Sequence, residues 1–193
     1  MTSTQLETRR TSLLILAALA ALMLLTRTHN FMLGGLLPDA SWAVFLLGGF
    51  FLKQFRYLAA LGALAWLIDV AVTVRTPAAA YCFSPAYVAL VASWVLLWSA
   101  GRFSNNLFSG SLAWLKLPLL PIAGVCAAYL VSNLGFYALS GNFAGMSLAE
   151  YAGRVARYFD GFLFTSLGYF LLGVAIAPAI AKLVEQARSA LKH

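Results

Sequence analysis

The sequence predicts an all-α integral membrane protein with six transmembrane helices. Of the 193 residues, 62% are hydrophobic and only 10% are charged. A soluble domain of this size has too little interior to bury so much apolar surface. The apolar residues also run in six long continuous stretches, whereas the strands of a membrane β-barrel are short and alternate apolar with polar residues. We therefore expect one helical domain, residues 1–193, embedded in a bilayer.

The expected spans follow the apolar stretches in chain order. The first stretch comes after Arg9 and Arg10 and resembles a signal peptide. No small-x-small cleavage motif follows it, so we expect it to be retained as a helix. The remaining five stretches are interrupted by short polar or proline-containing segments. The expected spans are 11–25, 41–55, 57–74, 86–100, 117–140 and 159–181.

Local residues justify several of the helix starts. Pro38, Pro85 and Pro118 lie near the starts of the second, fourth and fifth spans. The first turn of a helix tolerates proline, because its N–H groups have no partner within the helix. The segment from Ser147 onwards predicts a short amphipathic helix ahead of the last span, with Ser147 as its cap and Glu150 at the third position.

The charges predict that both termini are cytoplasmic. With a cytoplasmic N-terminus, nine basic residues fall on the cytoplasmic side and four on the outer side, as the positive-inside rule requires. Four of the six acidic residues fall on the outer side, which is therefore nearly neutral and suited to a polar ligand. The basic residues are scattered singly, so no nucleic acid is expected as a partner. The four outer basic residues are Arg27, Arg75, Arg154 and Arg157.

Cys82 is the residue best suited to metal binding or nucleophilic chemistry. It lies between two aromatic residues in the segment that joins the third and fourth spans. A thiolate is a soft metal ligand and a nucleophile, although a cysteine is also a common packing residue. Cys126 lies in the middle of the fifth span, so a disulfide between the two cysteines is not expected.

Four further residues are candidates for ligand binding on the outer side. Asp69 is ionisable within an apolar span, which indicates a functional role, hydration close to the membrane interface, or pairing with an outer arginine. His29 has no second histidine near it, so a hydrogen-bonding role or a position at the membrane interface without function is expected rather than zinc binding. Tyr87 either lines a pocket or belongs to the interfacial aromatic belt. Arg154, or equally Arg157, either meets an anionic group or contacts lipid headgroups.

The motifs of several enzyme classes are absent from the sequence. It contains no G-x-x-x-x-G-K-[ST] motif, so ATP hydrolysis through a P-loop is not expected. It also lacks H-E-x-x-H and G-x-S-x-G, which argues against an intramembrane metalloprotease or serine hydrolase.

These features resemble the S components of energy-coupling factor (ECF) transporters. Six helices in about 190 residues, cytoplasmic ends and the pair Ala17-x-x-x-Ala21 in the first helix carry the general likeness. More specifically, the chain is similar to the BtuM family of solitary S components for cobalamin. The residues that carry this likeness are His29, Asp69 and the stretch Tyr81-Cys82-Phe83-Ser84-Pro85-x-Tyr87.

The resemblance implies uptake of cobalamin (vitamin B12) across a bacterial inner membrane. It implies that Cys82 binds the cobalt and removes the cyanide of cyanocobalamin, with His29, Asp69, Tyr87 and Arg154 around the corrin ring. Cobalamin would be the bound substrate, with no other cofactor. The implied partners are membrane lipid and a shared ECF module that docks on the Ala17 and Ala21 face. The alternatives are an S component for another vitamin, a membrane enzyme that uses Cys82 as its nucleophile, and a structural subunit.

Overall fold

The described part of the chain is an assembly of α-helices. The computed structural model describes residues 3–32, 37–75, 84–107 and 113–190. Within these ranges there are six helices and no β-strand. In chain order they are α1 (Ser3–Met32), α2 (Ser41–Leu52), α3 (Phe55–Arg75), α4 (Tyr87–Leu107), α5 (Ala113–Leu139) and α6 (Leu148–Ala190).

Five of these helices are long and apolar enough to cross a membrane. The candidate spans are Arg9–Arg27, Phe55–Arg75, Tyr87–Asn105, Pro118–Leu139 and Leu148–Lys182. The described residues thus confirm the predicted all-helical, membrane-spanning character. The remaining helix, α2, is apolar but has only 12 residues.

Helix α2 lies at the centre of the bundle. All of its residues except Phe51 are buried. The ring of Phe45 stacks on that of Trp94 in α4, with 4.9 Å between the ring centroids. One turn further along, Gly49 lies directly against the backbone of Trp98. Residue numbers rise together along both helices from one contact to the next, so α2 and α4 run parallel.

Small residues also let α4 approach α5 closely. Gly124 of α5 faces the methyl group of Ala100, and Gly135 faces that of Ala89. Between these two contacts, Ser93 donates a hydrogen bond of 3.0 Å to the carbonyl oxygen of Ala128. Since residue numbers rise along α5 as they fall along α4, these two helices are antiparallel.

The observed last helix is longer than its expected span. It begins at Leu148 and includes the segment for which a separate amphipathic helix was expected. No proline separates that segment from the apolar residues, so nothing interrupts the backbone hydrogen bonds. The predicted cap is confirmed, since the Glu150 N–H donates to Oγ of Ser147 at 3.2 Å.

Helix α2 ends earlier than expected, at Leu52 rather than near 55. Lys53 adopts a left-handed backbone conformation with φ of 60°. Its N–H donates to the Gly48 carbonyl oxygen at 3.3 Å, which closes the helix. Two residues, Lys53 and Gln54, then connect α2 to α3.

Candidate functional site

A group of polar side chains joins four helices at one end of the bundle. This polar cluster consists of Arg27, Asp39, Ser41, Asp69 and Tyr87. Arg27 lies near the end of α1, Asp69 near the end of α3, and Tyr87 at the start of α4. Asp39 and Ser41 lie at the start of α2. The formal charge of the cluster is −1, because it holds two carboxylates and one guanidinium.

The centre of the polar cluster is a two-pronged ion pair between α1 and α3. Nε of Arg27 donates to Oδ1 of Asp69 at 2.7 Å, and Nη2 donates to Oδ2 at 2.7 Å. Only 14% of the Arg27 side chain and 17% of the Asp69 side chain are exposed. Two parallel charge-assisted hydrogen bonds fix the relative orientation of both groups. The pairing with an arginine that the sequence offered for Asp69 is thus present in the structure.

Tyr87 connects this ion pair to α4. Its hydroxyl donates to Oδ2 of Asp69 at 2.9 Å. Its ring packs edge-on against Trp94, with 5.9 Å between the ring centroids. Asp69 therefore holds Tyr87 in one orientation through its hydroxyl, and Trp94 holds it through its ring.

The other side of Arg27 contacts the start of α2. Nη1 donates to Oγ of Ser41 at 3.0 Å and lies 3.6 Å from Oδ2 of Asp39. Asp39 in turn accepts hydrogen bonds from the Ser41 N–H at 2.8 Å and from its hydroxyl. Next to this group, the buried Thr26 hydroxyl accepts a hydrogen bond of 3.1 Å from the Ala40 N–H. These contacts fix the start of α2 against α1.

Helices α5 and α6 continue past the polar cluster and form a wall beside it. Trp42, next to Ser41, packs against Tyr129 of α5 and Phe162 of α6, at centroid distances of 6.2 and 5.1 Å. Beyond Tyr129, α5 continues for ten residues to Leu139, which is about 15 Å at 1.5 Å per residue. Helix α6 begins 14 residues before Phe162, which is about 21 Å at the same rise. Both helices therefore extend past Trp42 and form the α5–α6 wall beside the polar cluster.

Aromatic contacts hold the far end of the wall together. Tyr137, Phe143 and Tyr151 pack against one another, with centroid distances between 4.7 and 6.2 Å. The hydroxyl of Tyr137 donates to the Met146 carbonyl oxygen at 2.8 Å. The connection between α5 and α6 is thus fixed to both helices by its own residues.

Arg154 lies on the wall rather than in the polar cluster. It is 57% exposed and pairs with Glu150, one turn earlier, at 3.0 Å. Both residues line a surface depression of about 630 Å³, together with Gly153, Arg157 and Tyr158. Because Arg154 and Arg157 both line this depression, its geometry does not favour either of them as the ligand-binding arginine.

The structure brings two of the five predicted site residues into direct contact. These two are Asp69 and Tyr87, while Arg154 lies apart on α6. His29 belongs to α1, but its side chain lies outside the described residues, as does Cys82 entirely. No group of three potential metal ligands occurs among the side chains that the structure describes.

Arg27 was not among the site residues expected from the sequence. It was only one of the four positive charges predicted on the outer side. A signal was nevertheless present, since Arg27 and Asp69 are opposite charges near the same end of two expected spans. In an apolar environment such charges favour pairing, because an unpaired ion there is unfavourable.

Five of the described helices are long and apolar enough for a multi-pass membrane protein, and the polar cluster lies at one end of the bundle. No family model matches this chain, and no curated protein matches it.

Proposed function

We propose that this protein is a cobalamin-uptake S component of the bacterial inner membrane, which binds the corrinoid from the outer side. The observation that carries the proposal is the 2.9 Å hydrogen bond between Tyr87 and Asp69. The BtuM resemblance assigns both residues to the corrin ring, although they are 18 positions apart and lie on different helices. Their direct contact at one end of the bundle supports that assignment.

The side chains at this end of the bundle also suit the chemistry of the ligand. Cobalamin carries amide groups around a planar ring with apolar faces, so its site needs hydrogen-bonding groups next to aromatic and apolar surface. The polar cluster supplies carboxylate and hydroxyl oxygens that accept amide hydrogens. The α5–α6 wall supplies aromatic side chains, including the half-buried Tyr137.

Cys82 would supply the bond to cobalt. It belongs to the connection between α3 and α4, and Asp69 and Tyr87 lie on the two helices that this connection joins. In the proposed reaction with cyanocobalamin, the thiol first loses its proton. The thiolate sulfur then donates its electron pair to Co(III) as the bond from cobalt to cyanide breaks. Cyanide leaves with the electron pair of that bond, so the oxidation state of cobalt does not change.

The exposed face of α1 is the proposed docking surface for a shared ECF module. Ala17 and Ala21 are both exposed on this helix, one turn apart. The large apolar side chains of Leu14 and Leu25 on the same helix are 57% and 60% exposed. Small residues spaced by four positions let another helix approach closely in a membrane.

The direct test is the visible spectrum of the protein purified from cells supplied with cobalamin. We expect a corrinoid absorption band at about one corrinoid per chain. A sample from cells grown without cobalamin, to which cobalamin is then added, serves as the matched control. A colourless protein that also binds no added cobalamin would contradict the proposal and leave an S component for another vitamin as the next hypothesis.

A further inference from the structure

We propose that Arg27 is a positioning residue, which acts on the ligand through Asp69 and Tyr87 rather than by contacting it. This inference rests on the proposed function, because it concerns the same site. It adds to that site a residue that the BtuM resemblance did not supply.

The contacts of Arg27 are the first support. All three nitrogens of its guanidinium group are engaged with protein oxygens: Nε and Nη2 with Asp69, and Nη1 with Ser41. Asp39 lies 3.6 Å from Nη1 on the same side. A guanidinium that is held by α2 and α3 at once and is only 14% exposed presents little of its charge to an incoming molecule.

The contacts of Asp69 show how Arg27 would act. The two hydrogen bonds from Arg27 fix the plane of the Asp69 carboxylate, and that carboxylate accepts the hydroxyl of Tyr87. Thr73, one turn later on α3, donates a hydrogen bond of 2.9 Å to the Asp69 carbonyl oxygen. The orientation of Tyr87 thus depends on Asp69, and that of Asp69 depends on Arg27.

Electrostatics gives the same dependence. An ionised carboxylate near membrane depth is unfavourable without a positive partner. Loss of Arg27 would therefore remove both the compensating charge and the two hydrogen bonds that orient Asp69, so Tyr87 would no longer have a fixed partner. Once Asp69 itself is replaced, Arg27 has no further effect to exert through it.

A double-mutant cycle in cobalamin affinity tests this dependence. The variants are Arg27→Gln, Asp69→Asn and the double variant, titrated with cobalamin in detergent by calorimetry. We expect each single variant to bind about tenfold more weakly, and the double variant to bind no more weakly than Asp69→Asn alone. Losses that multiply to about a hundredfold would overturn the proposal, because Arg27 would then act independently of Asp69. Unchanged binding by Asp69→Asn would overturn it as well.

Two further variants separate positioning from a general effect on the fold. Arg154→Gln is the matched control, since its side chain pairs with Glu150 and not with the polar cluster. The factors by which Arg154→Gln and Asp69→Asn each weaken cobalamin binding should multiply when the two substitutions are combined. Arg27→Lys keeps the charge but cannot form the two-pronged contact. It should recover part of the affinity, and it replaces Arg27→Gln in the cycle if the latter does not accumulate as monodisperse protein. Absence of cobalamin binding by the wild-type chain would instead overturn the proposed function, and this inference with it.

Discussion

Asp69 joins three helices through a single carboxylate. It belongs to α3, accepts two hydrogen bonds from Arg27 of α1 and accepts one from Tyr87 of α4. Hydrogen bonds to charged groups are stronger than those between neutral groups, and they weaken steeply when the geometry changes. A small displacement of any of the three helices at this end would therefore alter the site directly.

Replacing Cys82 by serine tests whether its sulfur binds cobalt. Cys82→Ser keeps nearly the same volume but replaces a soft thiolate by a hard hydroxyl that hardly ionises. We expect the cobalt–sulfur spectral signature and the release of cyanide from cyanocobalamin to be lost. The visible spectrum and free cyanide are measured after each variant is mixed with cyanocobalamin.

Cys126→Ser is the matched control for this experiment, because Cys126 is a free, half-buried thiol in α5. It should release cyanide as the wild type does. An unchanged spectrum and unchanged cyanide release in Cys82→Ser would rule out the thiolate mechanism, although cobalamin uptake without cysteine chemistry would still be possible.

Residue type alone predicted part of the candidate site. Asp69 and Tyr87 stand out in the sequence because polar groups within or beside apolar spans are rare, and the structure shows that they touch. The role of Arg27 could not be predicted in the same way. Its significance depends on which helix packs beside α1, and that is a property of the tertiary structure. Likewise, the pairing of Arg154 with Glu150 depends on the helix continuing through both residues.

At the scale of helices, glycine fixes how closely α2 and α4 approach. A methyl group added to Gly101 would meet the Leu46 carbonyl oxygen, and one added to Gly49 would meet that of Trp98. Each obstacle is backbone rather than a flexible side chain. Two parallel helices in contact at both positions can admit a larger residue only by moving apart along their length.

Gly101→Ala is therefore expected to destabilise the protein by about 1–3 kcal/mol, the usual effect of forcing extra volume into a packed interior. Gly161→Ala is the matched control, since nothing lies within 4 Å of an added methyl group there. It should be neutral or slightly stabilising, because alanine favours a helix by up to about 1 kcal/mol over glycine. Thermal unfolding in detergent measures both, and equal midpoints would contradict the close-packing argument.

Hydropathy predicted that there are six helices but underestimated several of their lengths. It marks only where a helix is apolar, whereas a helix continues as long as its backbone hydrogen bonds do. For this reason α1 extends from Ser3 to Met32 around the expected span 11–25, and α6 begins at Leu148 rather than near 159. Helix α5 likewise begins at Ala113, so Pro118 lies inside it.

For the whole molecule, the alternation of the helices places the candidate residues that the structure describes at one end. The polar cluster, the connection that contains Cys82 and the α5–α6 wall all belong to the end where α1, α3 and α5 finish. The charge pattern predicts that this end faces outwards, because most basic residues belong to the other end. This predicted orientation agrees with the proposed capture of a ligand from outside the cell.

Reporter fusions test this orientation. A reporter fused after His193 is expected in the cytoplasm, and one inserted at Gly141 is expected outside. Gly141 is a suitable position, because it lies in the turn between α5 and α6 and a Cβ atom added there would have nothing within 4 Å. Both reporters on the same side would contradict the orientation proposed from the charges.

The shortness of α2 has a consequence for how the protein is made. Its 12 residues extend about 18 Å, whereas the hydrocarbon core of a bilayer is about 30 Å thick. Such a segment is too short to be recognised and anchored in the membrane alone, and in the finished protein it is enclosed by the other helices. Only Lys53 and Gln54 separate it from the longer α3. We therefore expect the ribosome to deliver α2 and α3 to the membrane as one helical hairpin, with α2 reaching its central position only after α4 has been synthesised.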